Sequence, residues 1–363
     1  MTISVTNIRS KTATKTPASN THISRFGLFS SFFVLLLIVL TAVSILLGSA
    51  TLPISDVLNA LFLQNPDTIE HNVIWNLRLP RTILAIIVGI HFALSGLILQ
   101  SVIRNPLADS SVIGVSGGAS LAIVIFLLLA DAISGALSVG EVTQVSLSWL
   151  PFVALIGGLL VAFFILSITW ETGISPAKLA LNGVAIGAIL NALVMWTIVT
   201  WGGSRTETSI IWLAGSLYGR DFEHISLILP WSIVGVIATF LLLRPLSIMR
   251  FDSNLTRSLG LNVSFWRITA ICIAVALSAS AISVAGPVGF VGLIIPHLAR
   301  LCVGSQTLHL AVVSGLAGGC LTLGADIVSR LILSPLELPV GAITTMLGIP
   351  LLLFMLHRQG RTT

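Results

Sequence analysis

Long apolar runs recur along the whole chain, and they leave few folds open to it. They fall at about 28–48, 82–103, 112–131, 149–169, 178–200, 225–243, 266–285, 287–303, 309–330 and 340–356. At a rise of about 1.5 Å per residue, some 20 residues make a helix long enough to cross a bilayer. Only 9% of the residues are charged and 55% are hydrophobic, whereas about a quarter of a soluble domain is charged. The expected fold class is an all-α polytopic membrane protein with about ten transmembrane helices. One run stands apart. GPVGFVGLIIPHLAR, inside 287–303 and just before it, holds two prolines and three glycines, which predicts a broken helix buried within the bundle.

The first 27 residues are rich in Ser, Thr and Asn, carry Arg9, Lys11, Lys15 and Arg25, and are expected to form a disordered cytoplasmic tail. Residues 28–363 then form a single transmembrane domain. A signal peptide is the rival reading of the N-terminus, but Leu28 to Leu47 is too long for a typical h-region and Gly48-Ser49-Ala50 is a weak cleavage signal. An amphipathic piece, Ile54 to Leu63, is expected to lie at the surface after the first span.

Ten spans place both termini on one side. With the tail inside, thirteen Lys and Arg (9, 11, 15, 25, 104, 178, 244, 250, 257, 267, 300, 358, 361) are cytoplasmic and five (78, 81, 205, 220, 330) are not. That bias follows the positive-inside rule and gives cytoplasmic N and C termini. Arg78, Arg81 and Arg330 lie tight against span ends. They either snorkel to outer headgroups or form a basic rim that receives an acidic partner.

Motifs for chemistry are missing. The only lysines are Lys11, Lys15 and Lys178, none in a glycine-rich phosphate loop, so the chain holds no ATP by that route. No HExxH is present. His91 and His297 are lone histidines within spans. Asp326 is the main intramembrane acid, and Arg330 four residues on can pair with it along one helix face. A functional role is the default for such a residue, but one already neutralised serves structure, and the structural reading is favoured for Asp326. A proton-driven pump would need a relay of carboxylates, and none is visible. Cys272, Cys302 and Cys320 have neither CxxC nor Cys/His spacing and read as small core residues.

Three stretches carry more. Between Thr82 and Ile103 the small residues Ala85, Gly89 and Ala93 repeat every four positions, a stripe for close helix packing. On the fifth run Asn182, Gly183, Gly187 and Asn191 share a face, as a pathway lining or as another packing surface. The polar stretch 244–267, RPLSIMRFDSNLTRSLGLNVSFWR, reads as two short helical pieces with Gly260 at a helix end. It is either an interfacial loop or an element that fits a groove in a partner.

The segments RLPRTILA, LSGLILQSVIRNPLADSSVIGVSGGAS, LALNGVAIGAI, GPVGFVGLIIPHLARL and ADIVSRLILSPLELPVGAITTMLGIPLLL resemble, in order and spacing, the iron-siderophore and cobalamin ABC importer permeases. The similarity runs from about Arg78 to Arg358. It implies ten spans per subunit, a second permease subunit (identical or related) across a central pathway, and two separate ATP-binding subunits beneath. It also implies a periplasmic or lipid-anchored substrate-binding protein above, surrounding membrane lipid, and no nucleic acid. ATP and Mg belong to the partner ATPase, and no cofactor to this chain.

The resemblance further implies roles for single residues. Arg78, Arg81 and Arg330 match positions that meet glutamates of the binding protein. Asn105 and Leu107, with Ser175 and Pro176, match the cytoplasmic gate, although the family often has a small polar residue where Pro176 stands. Loop 244–267 matches the coupling helices, through Asp252, Arg257, Ser258, Leu259 and Gly260. RSLGL is kept there, but the family's acidic run is reduced to Asp252. The expected function is import of a ferric siderophore across the bacterial cytoplasmic (inner) membrane, with haem or cobalamin as alternative cargo. A stand-alone secondary transporter is the reading from a different class.

Overall fold

The computed structural model describes residues 19–48, 52–62, 68–111, 113–136, 149–171, 176–201, 206–251, 253–334 and 336–359. Ser175, Asp252, Arg205 and residues 1–18 lie outside them. Helix α1 (Ser19–Leu46) is followed by the short α2 (Ile54–Phe62) and α3 (Ile69–Asn72). A π-helical turn over Val73–Arg78 leads into α4 (Leu79–Ile103). Then come α5 (Val115–Ala136), α6 (Leu150–Glu171), α7 (Pro176–Trp201), α8 (Thr206–Leu213) and α9 (Phe222–Ile248). The chain ends with α10 (Ser253–Ser258), α11 (Val263–Ala285), α12 (Val291–Val303), α13 (Thr307–Leu331) and α14 (Val340–Gln359).

Among the described residues, 7 helices are long and apolar enough to cross a membrane, and three shorter apolar helices accompany them, at Val115–Ala130, Val291–Val303 and Val340–Phe354. Every expected apolar run has its helix. Two differences stand out. Helix α1 begins at Ser19, so the last part of the stretch expected to be disordered is helical. Helix α8 had no counterpart in the sequence pattern, because its eight residues are too few to show a period.

The bundle is built around α4, α11 and α13. Of the apolar window in the span containing α4, 78% is buried, and 72% in α11 and in α13, against 6% in α1. Small residues explain how three helices share the centre. A Cβ on Gly89 would fall inside the Gly318 carbonyl of α13, and one on Gly96 inside the Gly292 carbonyl of α12. Ala93 also meets Gly318, so the expected stripe is a packing seam. On the flank, Gly118 of α5 and Gly157 of α6 meet in the same way. Helix α1 leans on α13 through Phe26, stacked on His309 at 4.0 Å between ring centroids, and through the Phe33 carbonyl, which accepts from Cys320 Sγ.

Helix ends follow local chemistry. Pro80 follows directly on the π-helical turn, inside a helical run continuous from Ile69 to Ile103, and its missing N–H falls at that irregular turn. Arg104 closes that helix in the left-handed region at φ 54, and Pro106 prevents its continuation. Asp221 caps α9 by accepting from the Glu223 and His224 amides. The expected broken run indeed has no helical structure over 286–289, before only 13 residues of α12. Phe290 at its start has φ 68, a strained value for an aromatic residue. Here Gly215, Gly286 and Gly341 let three chain segments touch backbone to backbone: a Cβ on any of them would strike a carbonyl of Pro287, Trp212 or Ala214.

Candidate functional site

At one end of the bundle the chain gathers charge inside. Arg78, Arg81 and Arg330 are 4%, 7% and 3% exposed. The arginines expected to form a basic rim are buried and engaged within the chain. Arg81 Nε donates to Asp326 Oδ1 at 2.8 Å, and its Nη1 to Glu337 Oε2 at 2.7 Å. Arg330 Nη2 lies 3.0 Å from Asp326 Oδ2, an ionic contact whose angles fall short of a hydrogen bond, and donates to Ser44 Oγ at 2.7 Å. Arg78 Nη1 donates to the Ile45 and Leu46 carbonyls at the end of α1. The physical reason is that charges within the bundle are costly unless paired and hydrogen-bonded. Asp326 and Glu337 offset two of three guanidiniums, leaving an excess of positive charge.

That excess faces a cavity of about 300 Å³ lined by Gly48, Leu77, Arg78, Arg81, Tyr218, Arg220, Arg330 and Glu337, among others. Arg220, in the loop before α9, has its pKa pushed down to about 10 by burial, opposed by Asp221. It stays protonated at neutral pH. Four of the five arginines that broke the charge bias thus share one cavity. Glu337 escaped the sequence reading; its only signal was an acid directly after a basic span end, in SPLELP.

The opposite end holds the residues expected at the gate and in the coupling loop. Asn105 Oδ1 accepts from the Leu107 amide at 2.9 Å, which folds the RNPL turn, and Leu107 is 40% exposed. Pro176 opens α7. The expected 244–267 loop is shorter than read: α9 extends to Ile248 and α11 starts at Val263, so one short helix, α10, stands where two pieces were expected. Arg257 and Ser258 lie in α10, and Ser258 Oγ donates to the Leu255 carbonyl. Gly260 has φ 80, the left-handed turn expected after a helix. Leu255 and Leu259 are 49% and 60% exposed, an apolar edge on a polar loop. Arg104, not singled out from sequence, donates to the Met249 carbonyl at 2.9 Å and also to that of Phe251. Arg250 donates to the Ser305 carbonyl between α12 and α13.

The face of α7 divides its work. Asn182 Nδ2 donates to Thr169 Oγ1 of α6 at 3.3 Å, and Gly183 and Gly187 lie against the Ser111–Gly114 turn. These three pack. Asn191 instead lines a cavity of about 500 Å³ with Asp109, Ser110, Ser111, Ser116 and Ser120 on one side and Leu213, Pro287 and Phe290 on the other. Asp109 Oδ1 accepts from the Ser111 amide at 3.0 Å and from its hydroxyl at 2.6 Å. Sequence reasoning missed Asp109 because it follows a loop signal, RNPLA, that gives no hint of depth.

Comparison with known proteins adds a second kind of observation. The model of the FecCD transport family matches residues 36–358. The Fe(3+)-citrate import system permease protein YfmE of Bacillus subtilis is 36% identical over 327 residues, covering 90% of this chain and 93% of that protein. The iron(3+)-hydroxamate import system permease protein FhuG of the same organism is 34% identical, covering 89% and 95%. A solved inward-facing conformation of a metal-chelate type ABC transporter superposes with TM-score 0.78 at 25% identity, covering 91% of this chain and 98% of that one.

Proposed function

The chain belongs to the FecCD transport family, and from that premise we propose that it is the membrane-spanning permease subunit of an ATP-driven importer of ferric siderophores. It is a multi-pass protein of the bacterial cytoplasmic membrane and not itself an enzyme. ATP and Mg are handled by two copies of a partner ATPase, a second permease chain completes the pathway, and a binding protein delivers the chelate. One observation carries the reading: the match spans both the arginine end and the loop end, and α4 runs between them.

The geometry suggests how work passes through the molecule. A carboxylate of the docking protein competes with Glu337 for Arg81, drawn by the positive excess of the outer cavity. At the other end, the ATPase seats the Leu255–Leu259 edge. Movement of that loop pulls on Arg104, which closes α4 and leads directly into Asn105 and Leu107. The two ends are thus coupled by one rigid helix whose buried glycine seam ties it to α12 and α13, and two such permease halves tilt to give alternating access.

Reconstitution tests this. Vesicles holding the permease, its ATPase and its binding protein should accumulate radiolabelled ferric siderophore only with ATP inside. Uptake that needs no ATP and collapses with the ion gradient would instead establish a secondary transporter.

A further inference from the structure

The hydrogen-bond ladder of α12 lacks a rung. In an α-helix the carbonyl of each residue takes the amide of the residue four places on. Pro296 lies inside α12 and has no amide, so the Gly292 carbonyl loses its regular donor. That carbonyl is pressed against α4: a Cβ on Gly96 would fall 1.8 Å from it. One turn on from Gly96, along the same face of α4, stands Gln100, 4% exposed. Its Nε2 donates to the Gly292 carbonyl at 3.2 Å and to the Leu293 carbonyl at 2.9 Å. A side-chain amide of α4 thus takes the place of the backbone amide that Pro296 lacks.

A buried carbonyl without a donor is costly, but a donor from another helix does more than satisfy it. Helices bend at prolines, and the turn ahead of Pro296 carries Phe290 and Leu293, two of the residues lining the cavity of about 500 Å³. Gly292 in that turn also lies beside Asp109: a Cβ built on it would sit 3.7 Å from Asp109 Cβ. The chain that leaves α4 at Arg104 therefore returns into the bundle to the level of Gly292. Upstream, the turn is held by the backbone contact of Gly286 with Trp212. Downstream, the missing rung leaves it to Gln100. One helical turn beyond Gln100, Arg104 donates to the Met249 and Phe251 carbonyls. The loop after α9, the last turn of α4 and the cavity wall are thus joined by direct hydrogen bonds.

We propose that Gln100 is a positioning residue for transport: it fixes the first turn of α12 to α4, so that a tilt of α4 driven from the loop carries Phe290 and Leu293 with it instead of bending α12 at Pro296. The proposal rests on the importer reading above. It names the side chain through which movement at the loop end reaches the wall of the cavity.

The test uses the complete importer in vesicles, supplied with radiolabelled ferric citrate or a ferric trihydroxamate, whichever the native complex accumulates, beside unfolding of the same chains in micelles. Gln100→Leu, which removes the donor, should lower the unfolding midpoint by a few degrees and uptake per ATP several-fold, with docking of the binding protein and ATP hydrolysis unchanged. Pro296→Ala alone should keep uptake near the native value, because Gln100 still ties the two helices. The double variant decides. Its residue 296 returns an amide to the Gly292 carbonyl, so the unfolding midpoint should recover, while α4 and α12 stay untied and uptake per ATP stays low. Recovery of uptake together with stability would mean that Gln100 only satisfies a carbonyl, and overturns the proposal. So do native uptake per ATP in Gln100→Leu, low uptake in Pro296→Ala alone, or a double variant that fails to assemble. If the native complex accumulates neither chelate, or does so without ATP, the importer reading fails; if it uses ATP and only the variants depart from these outcomes, only the role of Gln100 does.

Discussion

Replacing Asp326 by Asn removes one charge from the buried network at the arginine end, and the outcome can be worked from its contacts. The carboxylate is wholly buried and serves Arg81 at 2.8 Å and Arg330 at 3.0 Å. After the change Arg81 still has Glu337, so its charge remains compensated. Arg330 keeps only Ser44 and nearby backbone carbonyls. One guanidinium thus loses its ionic partner inside the bundle. Breaking a buried pair in this way costs about 3–5 kcal/mol, and the surviving Glu337 contact puts the expected loss near the lower end, about 3 kcal/mol. Reversible unfolding in mixed micelles, followed by tryptophan fluorescence, gives the value. The double variant Asp326→Asn with Arg330→Met removes the stranded charge as well. It should recover about 1–3 kcal/mol relative to the sum of the single changes. A loss below about 1 kcal/mol for Asp326→Asn, or strict additivity in the double variant, would refute the idea that pairing with Asp326 holds these arginines inside.

Three further outcomes follow from the same structure. Gly89→Ala should cost about 1–3 kcal/mol by driving a methyl into the α13 backbone, whereas Gly315→Ala, whose Cβ meets nothing closer than 3.9 Å, should be neutral or gain up to about 1 kcal/mol of helix propensity; micelle unfolding compares them, and equal effects would contradict the packing seam. Glu337→Gln should speed docking of the binding protein several-fold and steepen its salt dependence, because Arg81 Nη1 loses its ionic partner while Nε stays on Asp326; surface plasmon resonance across a salt series reads this, and unaltered association rates would count against competition at Arg81. Arg104→Gln should leave ATP hydrolysis largely intact while uptake per ATP falls several-fold, and parallel loss of both would point to failed assembly.

The helices were legible because the bilayer demands long apolar runs, and each run states itself within one stretch of sequence. The Ala85–Gly89–Ala93 seam was legible for the same reason. The charge network was half legible. Asp326 and Arg330 are four residues apart and could be paired by helical spacing alone, but Arg81 meets Asp326 across 245 residues, and nothing local announces that. The consequence was a rim expected where a buried, cavity-lining cluster stands. Asn191 was grouped with Asn182 by its face on α7, yet only the neighbours of that face, α6 for one and the Asp109 loop for the other, separate a packing amide from a lining one. Depth was the least legible quantity. Asp109 follows a proline turn that reads as the end of a crossing, and its return into the bundle is set by Gly292 and Gly187 on distant helices.

The meeting of Gly215, Gly286 and Gly341 has a mechanical meaning. The Gly341 amide donates to the Gly215 carbonyl at 3.1 Å, and the segments touch with no side chain between them. Side chains can rotate to absorb a displacement; peptide planes cannot. The turns before α9 and α12 and the first turn of α14 are therefore clamped into a single hard block, and Pro287 and Phe290 beside it line the Asp109 cavity. Any change in the width of that cavity has to come from the opposite wall, where Asn191 and Val194 of α7 line it with side chains.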